Sequence, residues 1–433
     1  MKVMDNKVFQ KWNKEINEFL SHSKTNILPR TYYEEKAKEI INYVGKYSKF
    51  YKDLFLEKCD NDSIFPFLKN IPFTTKADLQ RVGRDVCSMN FDKIATYYET
   101  TGTTGKPTPC PRSSLDIETS GKFVEHALKK AYLNTFGNME ALTAIMGPSE
   151  LYAFGDTYGE ICRNLGIPFV RLWPESPRVG VEKAAQLIKD LNVKSMICSP
   201  AIALALARYY KSLNIEPSRL PIKQIFVLGE LCTPEMLKNI SNIWDAKCTH
   251  GLYGSQEIHA LATGTIDGEL LISETNYIVE IIPLANWSKE IGELCVTMLV
   301  PGAKPLIRFK TGDLAYINNE NNPRTLKILG RVKDIIIIDN KEISPFFIES
   351  SILSEFKTIF GYQCTIWLNE KSEENMSINV VADVTESEIQ NIEKNLKKKF
   401  NIDVYITTKD KLDPKTETGA YVSWKSARII DRR

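Results

Sequence analysis

Short apolar runs alternate with helical stretches between about residues 143 and 300, and this alternation restricts the fold more than any other feature of the sequence. Four runs have strand length and lack a polar face, namely Ala144–Met146, Phe169–Trp173, Ser195–Cys198 and Gln224–Leu228. Helical periodicity separates them over residues 181–191, 201–213 and 234–245. Because strand, helix and strand in this order pair in parallel under helices on both faces, we predict an α/β fold. We expect a large N-terminal domain, residues 1–330, with mostly parallel sheets covered by helices.

The pattern changes beyond about residue 330. Strand-like segments at Asp334–Ile338, Met376–Val381 and Val404–Ile406 are interleaved with helix starts at Ser344 and Thr385. These segments predict a separate, small α+β domain over residues 331–433.

The region before residue 100 is predicted to be helical. Residues 32–57 place apolar side chains three and four positions apart, so we predict one amphipathic helix there, with a buried face formed by Ile40, Ile41, Val44, Tyr47, Tyr51 and Leu54. Thr75 is the predicted N-cap of the helix that follows.

Composition excludes several classes of protein. The 433 residues are 43% hydrophobic and 25% charged, as in globular chains, and the net charge of +2 argues against a nucleic-acid partner. The nine cysteines form no C-x-x-C pair, which indicates reduced thiols rather than disulfides or a zinc site. Since the sequence has no signal core and no apolar stretch near the roughly 18 residues of a membrane helix, we expect a cytoplasmic protein that has no membrane partner.

A threonine- and glycine-rich segment follows Tyr97. Its glycines allow a tight turn, and its backbone N–H groups, hydroxyls and lysine can bind phosphate oxygens; it consists of Thr100, Thr101, Gly102, Thr103, Thr104, Gly105 and Lys106. The spacing of Gly102 and Gly105 does not fit the P-loop of nucleotide hydrolases and kinases. The segment is therefore either a phosphate cradle or a mobile surface turn.

Three further clusters carry polar side chains that can take part in binding or catalysis. Glu257, at the end of Gly251–Glu257, can hold Mg²⁺ beside a phosphate, and Tyr253 offers a flat surface to a purine. Asp313 is expected on a turn after a strand, where its carboxylate can accept hydrogen bonds from both hydroxyls of a ribose. Each could instead be an ordinary turn residue. The basic tail Trp424–Arg433 is typical of a solvated face.

In this order, the clusters resemble the adenylate-forming superfamily, which includes acyl-CoA synthetases, luciferases and peptide-synthetase adenylation domains. The resemblance adds Gly330–Asp334 and a lysine near the C-terminus to the motifs above. Its phenylacetate-CoA ligase branch is matched further at Ile71–Leu79, Tyr277–Pro283, Gly292–Leu299, Pro305–Arg308 and Ala427–Arg432. The match covers the chain from about residue 30 onward.

The resemblance implies a role for each matched residue. The segment from Thr100 to Lys106 would bind the phosphates of ATP, and Glu257 would hold Mg²⁺. Adenine and ribose would contact Tyr253, Gly254, Ser255, Asp313 and Arg331. Lys333 would be the hinge of a mobile C-terminal domain, and Lys425 the catalytic lysine of adenylation.

Two departures from the family pattern stand out. Trp424 precedes Lys425 where the family has glycine, and Thr275–Asn276 stands where close relatives carry an Asp-His pair. The cysteine cluster of these relatives is also absent, so zinc is not expected.

The implied reaction is ATP-dependent, AMP-forming activation of a carboxylic acid, followed by transfer to CoA. The acid pocket is expected at Tyr152, Phe154, Asp156 and Tyr158, whose rings suit an aryl or arylacetic acid, although these aromatics could equally be core. Asp156 could pair with an amino or hydroxyl substituent. The phosphopantetheine of a carrier protein is the alternative acceptor, and a nucleotide-binding protein without turnover is the alternative function. The sequence does not decide between a monomer and a homodimer.

Overall fold

The computed structural model describes residues 6–21, 28–56, 68, 70–100, 106–320, 323–410, 412 and 428–433. The chain forms two compact units. The first comprises Met1–Ala131, Pro148–Leu165 and Gly251–Lys327, and the second comprises Tyr132–Gly147, Gly166–His250 and Ile328–Arg433. The predicted domain division at residue 331 stays a prediction.

The first unit begins with helices Asn6–Ser21, Arg30–Tyr47 and Lys49–Leu56. The prediction of one helix over residues 32–57 is wrong, because Ser48 adopts an extended conformation (φ −93°, ψ 122°) and its N–H donates to the Val44 carbonyl. The break leaves Tyr47 52% exposed, whereas Ile40, Val44 and Tyr51 are buried as expected.

The helix Lys76–Val82 starts at Thr75, as predicted. The Thr75 hydroxyl accepts a hydrogen bond from the Asp78 N–H, and the Asp78 carboxylate accepts one from the Thr75 N–H. This capping box satisfies two N–H groups that a helix start otherwise leaves unpaired. The 3₁₀ turn Gly83–Val86 follows.

A hairpin of two strands, Thr96–Glu99 and Pro109–Arg112, precedes the long helix Ser114–Phe136. The first unit also contains helix Ala153–Leu165 and most of a seven-stranded sheet. In spatial order the strands are Tyr277–Pro283, Ile291–Met298, Phe309–Asn318, Thr325–Arg331, Leu270–Ile272, His259–Gly264 and Leu252–Ser255.

The registers that the described residues define in this sheet are antiparallel. The strand-helix alternation expected up to about residue 300 therefore ends at His250. The physical reason is connection length: residues 265–269 and 284–290 join neighbouring strands as hairpins, which are too short for the dozen or so residues of a parallel crossover.

The second unit contains a five-stranded parallel sheet, which confirms the predicted α/β class. Its spatial order is Phe169–Arg171, Thr143–Ile145, Ser195–Cys198, Gln224–Val227 and Lys247–His250. Its connecting helices are Gly180–Asp190, Pro200–Ser212 and Pro234–Trp244, with a 3₁₀ turn at Pro217–Arg219. Ser199 and Thr233 cap the last two helices, each followed by proline at the first helical position.

The C-terminal part of the second unit has the predicted mixture of strands and helices. Helix starts after Ser344 and Thr385 are confirmed by their caps. The elements are the 3₁₀ turn Val332–Asp334, the ribbon Ile336–Ile338 with Lys341–Ile343, helices Pro345–Leu353 and Glu386–Phe400, and a sheet of Asp403–Thr408, Glu374–Val381, Gly361–Leu368 and Ile429–Asp431.

No helix formed by the described residues combines the length and the apolar character that crossing a bilayer requires. The cysteines that the structure describes are free thiols.

Candidate active site

Tyr253 and Asp313, the two residues expected to hold a nucleoside, are hydrogen-bonded to each other. The Tyr253 hydroxyl donates to Asp313 Oδ2 at 2.6 Å. Tyr253 lies on strand Leu252–Ser255 and Asp313 on strand Phe309–Asn318, and both side chains are half-buried. The first unit therefore brings an aromatic ring and a carboxylate together from positions 60 residues apart in sequence.

The expectation that Asp313 follows a strand on a turn is wrong. Asp313 lies inside the strand, at a point where the register with the neighbouring strand shifts between Glu293 and Cys295. Gly312 has a φ of +79°, and the Thr311 hydroxyl accepts from the Asp313 N–H at 3.1 Å. An irregularity of this kind re-aims a side chain without ending the strand. Thr-Gly-Asp thus encodes a bulge here and not a hairpin.

Gly254 is required by the backbone beside Tyr253. A Cβ at this position would lie 1.8 Å from the carbonyl oxygen of His259 on the neighbouring strand. The register of the two strands also shifts between Tyr253 and Gly254. The glycine of the Tyr-Gly-Ser sequence therefore allows the close approach that sets the position of Tyr253, while Ser255 is exposed at the end of the strand.

Glu257 follows this strand on a turn, as predicted, and is only 6% exposed. The ammonium of Lys76 lies 3.8 Å from Glu257 Oε1. Sequence reasoning did not assign Lys76 a place near the site, although it belongs to the matched stretch Ile71–Leu79. The Glu257 carboxylate is therefore paired with a cation of the protein on this side.

The threonine–glycine segment is described at its two ends. The Thr100 N–H donates to the Thr108 carbonyl at 3.2 Å, and the Thr100 hydroxyl accepts from the Thr108 N–H at 3.0 Å. Thr100 is buried, whereas Lys106 is exposed. The predicted phosphate-binding residues Thr101, Gly102, Thr103, Thr104 and Gly105 lie outside the described residues.

The carbonyl of Leu151 joins three of the predicted segments. It accepts from the Glu99 N–H at 3.2 Å, next to Thr100, and from the Gln256 side-chain amide at 3.5 Å, next to Glu257. Leu151 itself directly precedes Tyr152 of the expected acid pocket. Glu99, Gln256 and the start of the acid-pocket segment thus meet at Leu151 within the first unit.

The four expected acid-pocket residues have different surroundings. Phe154 and Tyr158 lie on helix Ala153–Leu165, are 7% and 1% exposed, and contact each other with ring centroids 5.8 Å apart. Both therefore belong to the core of the unit. Tyr152 is half-buried before the helix, and Asp156 accepts a hydrogen bond from the Tyr98 hydroxyl at 3.2 Å.

Arg331 and Lys333 belong to the second unit. Arg331 ends strand Thr325–Arg331 and Lys333 lies on the turn Val332–Asp334, and both are exposed. Lys425, the expected catalytic lysine, lies outside the described residues together with Trp424.

In the described part of the basic tail, Asp431, Arg432 and Arg433 are exposed, as its composition indicates, whereas the Arg428 side chain is buried. Three residues after Lys425, the Arg428 guanidinium lies 3.0 Å from Glu349 and 3.7 Å from Glu230, with all three side chains at least 91% buried. The Tyr362 hydroxyl donates to Glu349 at 2.8 Å. Nearby carboxylates outweigh burial and raise the pKa of Arg428. We call this set, Arg428, Glu230, Glu349 and Tyr362, the arginine cluster.

No protein-family model matches the chain. A phenylacetate-coenzyme A ligase of Thermus thermophilus is 25% identical over 361 residues, which are 78% of each chain. A phenylacetate-coenzyme A ligase of Escherichia coli is 27% identical over 307 residues, which are 66% of each chain. The solved structure of a 2-hydroxyisobutyryl-CoA ligase in the postadenylation state shares the fold, with a TM-score of 0.77, 17% identity, and coverage of 94% of this chain and 91% of that one.

Proposed function

From the premise that this chain belongs to the adenylate-forming superfamily, we propose that it is an AMP-forming acid–thiol ligase. It activates a carboxylic acid with ATP to an acyl-adenylate and then transfers the acyl group to the thiol of CoA. The similarity to phenylacetate-coenzyme A ligases supports an aryl or arylacetic acid as the substrate.

The hydrogen bond between Tyr253 and Asp313 is the observation that carries this proposal. An aromatic ring next to a half-buried carboxylate suits a nucleoside, because the ring can stack on adenine while the carboxylate accepts the ribose hydroxyls. The Leu151 junction adds the loop expected to bind phosphate and the segment expected to bind the acid. These parts match the reactants of adenylation.

The reaction needs alignment more than covalent help from the protein. A carboxylate is a poor acyl donor because its leaving group would be oxide. Attack of its oxygen on the α-phosphorus of ATP forms a mixed anhydride with AMP and breaks the bond to pyrophosphate. The thiol then attacks the carbonyl carbon, and AMP leaves. Positioned donors and charges lower the barrier of the first step by stabilising the charge that builds on the in-line phosphorus.

We assign the roles as follows. Asp313, Tyr253, Gly254 and Ser255 hold the nucleoside, and the segment Thr100–Lys106 holds the phosphates. The Glu257 carboxylate would bind Mg²⁺, which when bound neutralises charge on the phosphate oxygens. Arg331 assists at the nucleotide, Lys425 acts in adenylation, and Lys333 is the hinge of a C-terminal domain, residues 331–433, that moves between the half-reactions.

A panel of carboxylic acids, screened by pyrophosphate release, tests the proposal. Carboxylate oxygen labelled with ¹⁸O should appear in AMP, because the attacking oxygen remains bound to phosphorus when the thiol takes the acyl group. Appearance of the label in inorganic phosphate, or ATP binding without adenylate formation from any acid, would contradict it. Parallel reactions with free CoA and with a holo carrier protein identify the acceptor.

A further inference from the structure

A cleft in the first unit runs between helices Ser114–Phe136 and Ala153–Leu165. Its lining includes Tyr98, Arg112 and Thr157, which stands between the expected acid-pocket residues Asp156 and Tyr158. Tyr98 and Arg112 come from the two strands of the hairpin that carries the threonine–glycine segment.

Arg112 is a buried cation whose Nε–H has no hydrogen-bond acceptor among the described residues. The residue is 6% exposed, and its buried Nε has no hydrogen-bond partner. The guanidinium lies over the Tyr98 ring, whose centroid is 5.3 Å from the guanidinium carbon. Buried N–H groups of a charged side chain are rarely left without an acceptor, because the desolvation is then uncompensated.

Two carboxylates near Arg112, those of Asp116 and Asp156, accept hydrogen bonds from other donors. Asp116 accepts from the N–H and hydroxyl of Ser113 at 2.7 Å and from the Ala303 N–H at 2.8 Å. Asp156 accepts from the Tyr98 hydroxyl at 3.2 Å. Arg112 therefore lines the cleft with a buried donor, Nε–H, that no described residue of the protein satisfies.

Arg112 lies at a distance from the threonine–glycine segment that a small substrate could span. Tyr98, whose ring lies over Arg112, is on strand Thr96–Glu99, and Thr100 directly follows that strand, two residues and about 7 Å further along the extended chain. This distance is comparable to the length of a small carboxylic acid. An acid whose carboxylate is activated beside the threonine–glycine segment can therefore extend its far end toward Arg112.

We infer that Arg112 makes this enzyme select carboxylic acids that carry an additional oxygen acceptor at the end remote from the reacting carboxylate. A hydroxyl, carbonyl or carboxylate oxygen in the cleft would accept from the guanidinium, and the Tyr98 ring would hold the guanidinium in place. This inference rests on the proposed function and narrows its substrate class, since plain hydrocarbon acids such as phenylacetate would leave Arg112 unpaired.

Matched pairs of acids test the inference. Phenylacetate is compared with 4-hydroxyphenylacetate, and hexanoate with 5-oxohexanoate, by kcat/KM for pyrophosphate release. A hydrogen bond to a charged donor predicts about a 10- to 100-fold preference for the oxygen-bearing member of at least one pair. Arg112→Met should remove that preference, and Arg112→Lys should retain part of it. Arg81→Met, which removes an exposed arginine of the same unit, should leave it unchanged.

Calorimetric titration of the free acids separates this inference from the proposed function. Arg112-dependent binding of an oxygen-bearing acid without pyrophosphate release would support the inference and contradict the function. Pyrophosphate release with equal preference within both pairs would overturn the inference and support the function. The inference also fails if a folded Arg112→Met enzyme, checked by urea unfolding, keeps the preference, or if no acid binds or reacts.

Discussion

The Tyr253–Asp313 pair and the arginine cluster both join an acidic side chain to a distant partner, but they differ in burial. Asp313 is half-buried on an irregular strand of the first unit. Glu349 in the second unit is 1% exposed and is contacted by Arg428, Tyr362 and the Thr233 N–H. A carboxylate that keeps contact with solvent can exchange water for the hydroxyls of a ligand, whereas a sealed carboxylate serves the fold.

Burial therefore separates two functions that the residue types alone do not distinguish. The sequence identifies acidic and basic residues in both places, yet the tail residue Arg428 is structural and Asp313 is accessible. The comparison predicts large effects on stability from the arginine cluster and effects on ligand binding from the Tyr253–Asp313 pair.

Removing the charge of Arg428 should have the largest effect. In Arg428→Met, Glu230 and Glu349 would keep buried negative charges without their cation, which typically costs about 3–5 kcal/mol of unfolding free energy. Urea unfolding measures the loss. Arg81→Met is the matched control, since the Arg81 side chain is 66% exposed and pairs with Asp78, and an exposed pair contributes roughly 0–1 kcal/mol. Equal unfolding free energies of the two variants would contradict a stabilising role of the arginine cluster.

Lys425→Ala should have the next largest effect, which falls on activity and leaves the free energy of unfolding unchanged. We expect carboxylate-dependent pyrophosphate exchange to fall on the order of 10²- to 10³-fold, because one aimed charge at the transition state is lost. Thioester formation from supplied acyl-adenylate should be retained, since that step does not need the same charge. Lys409→Ala, at an exposed position in the C-terminal part of the chain, is the control. A matching loss in both half-reactions would contradict this division.

The elements that local chemistry determines could be predicted. The helix starts at Thr75, Ser344 and Thr385 form as expected, because each depends on side chains within a few residues of the start. Four of the five parallel strands were also predictable, because their sequences are short apolar runs; the fifth, Lys247–His250, carries polar residues and was not predicted.

Features that depend on distant partners could not be predicted. The helix over residues 32–57 breaks at Ser48, whose hydroxyl donates to the Asp85 carbonyl 37 residues away. Asp313 lies on a strand because the pairing with Ile291–Met298 shifts register there. Arg428 is buried against Glu230 and Glu349, which come from distant segments of the chain. The composition of the tail does not indicate those contacts.

ATP binding by Asp313→Ala tests the central claim of this account most directly. Titration calorimetry should show an affinity about 10- to 100-fold below that of the unaltered protein, the loss expected for hydrogen bonds to a charged acceptor. Unfolding free energy should stay within about 1 kcal/mol, as is usual away from packed or sealed groups. Asp267→Ala, on an exposed turn of the same unit, should bind ATP normally. Unchanged ATP affinity in a folded Asp313→Ala protein would contradict the nucleotide site.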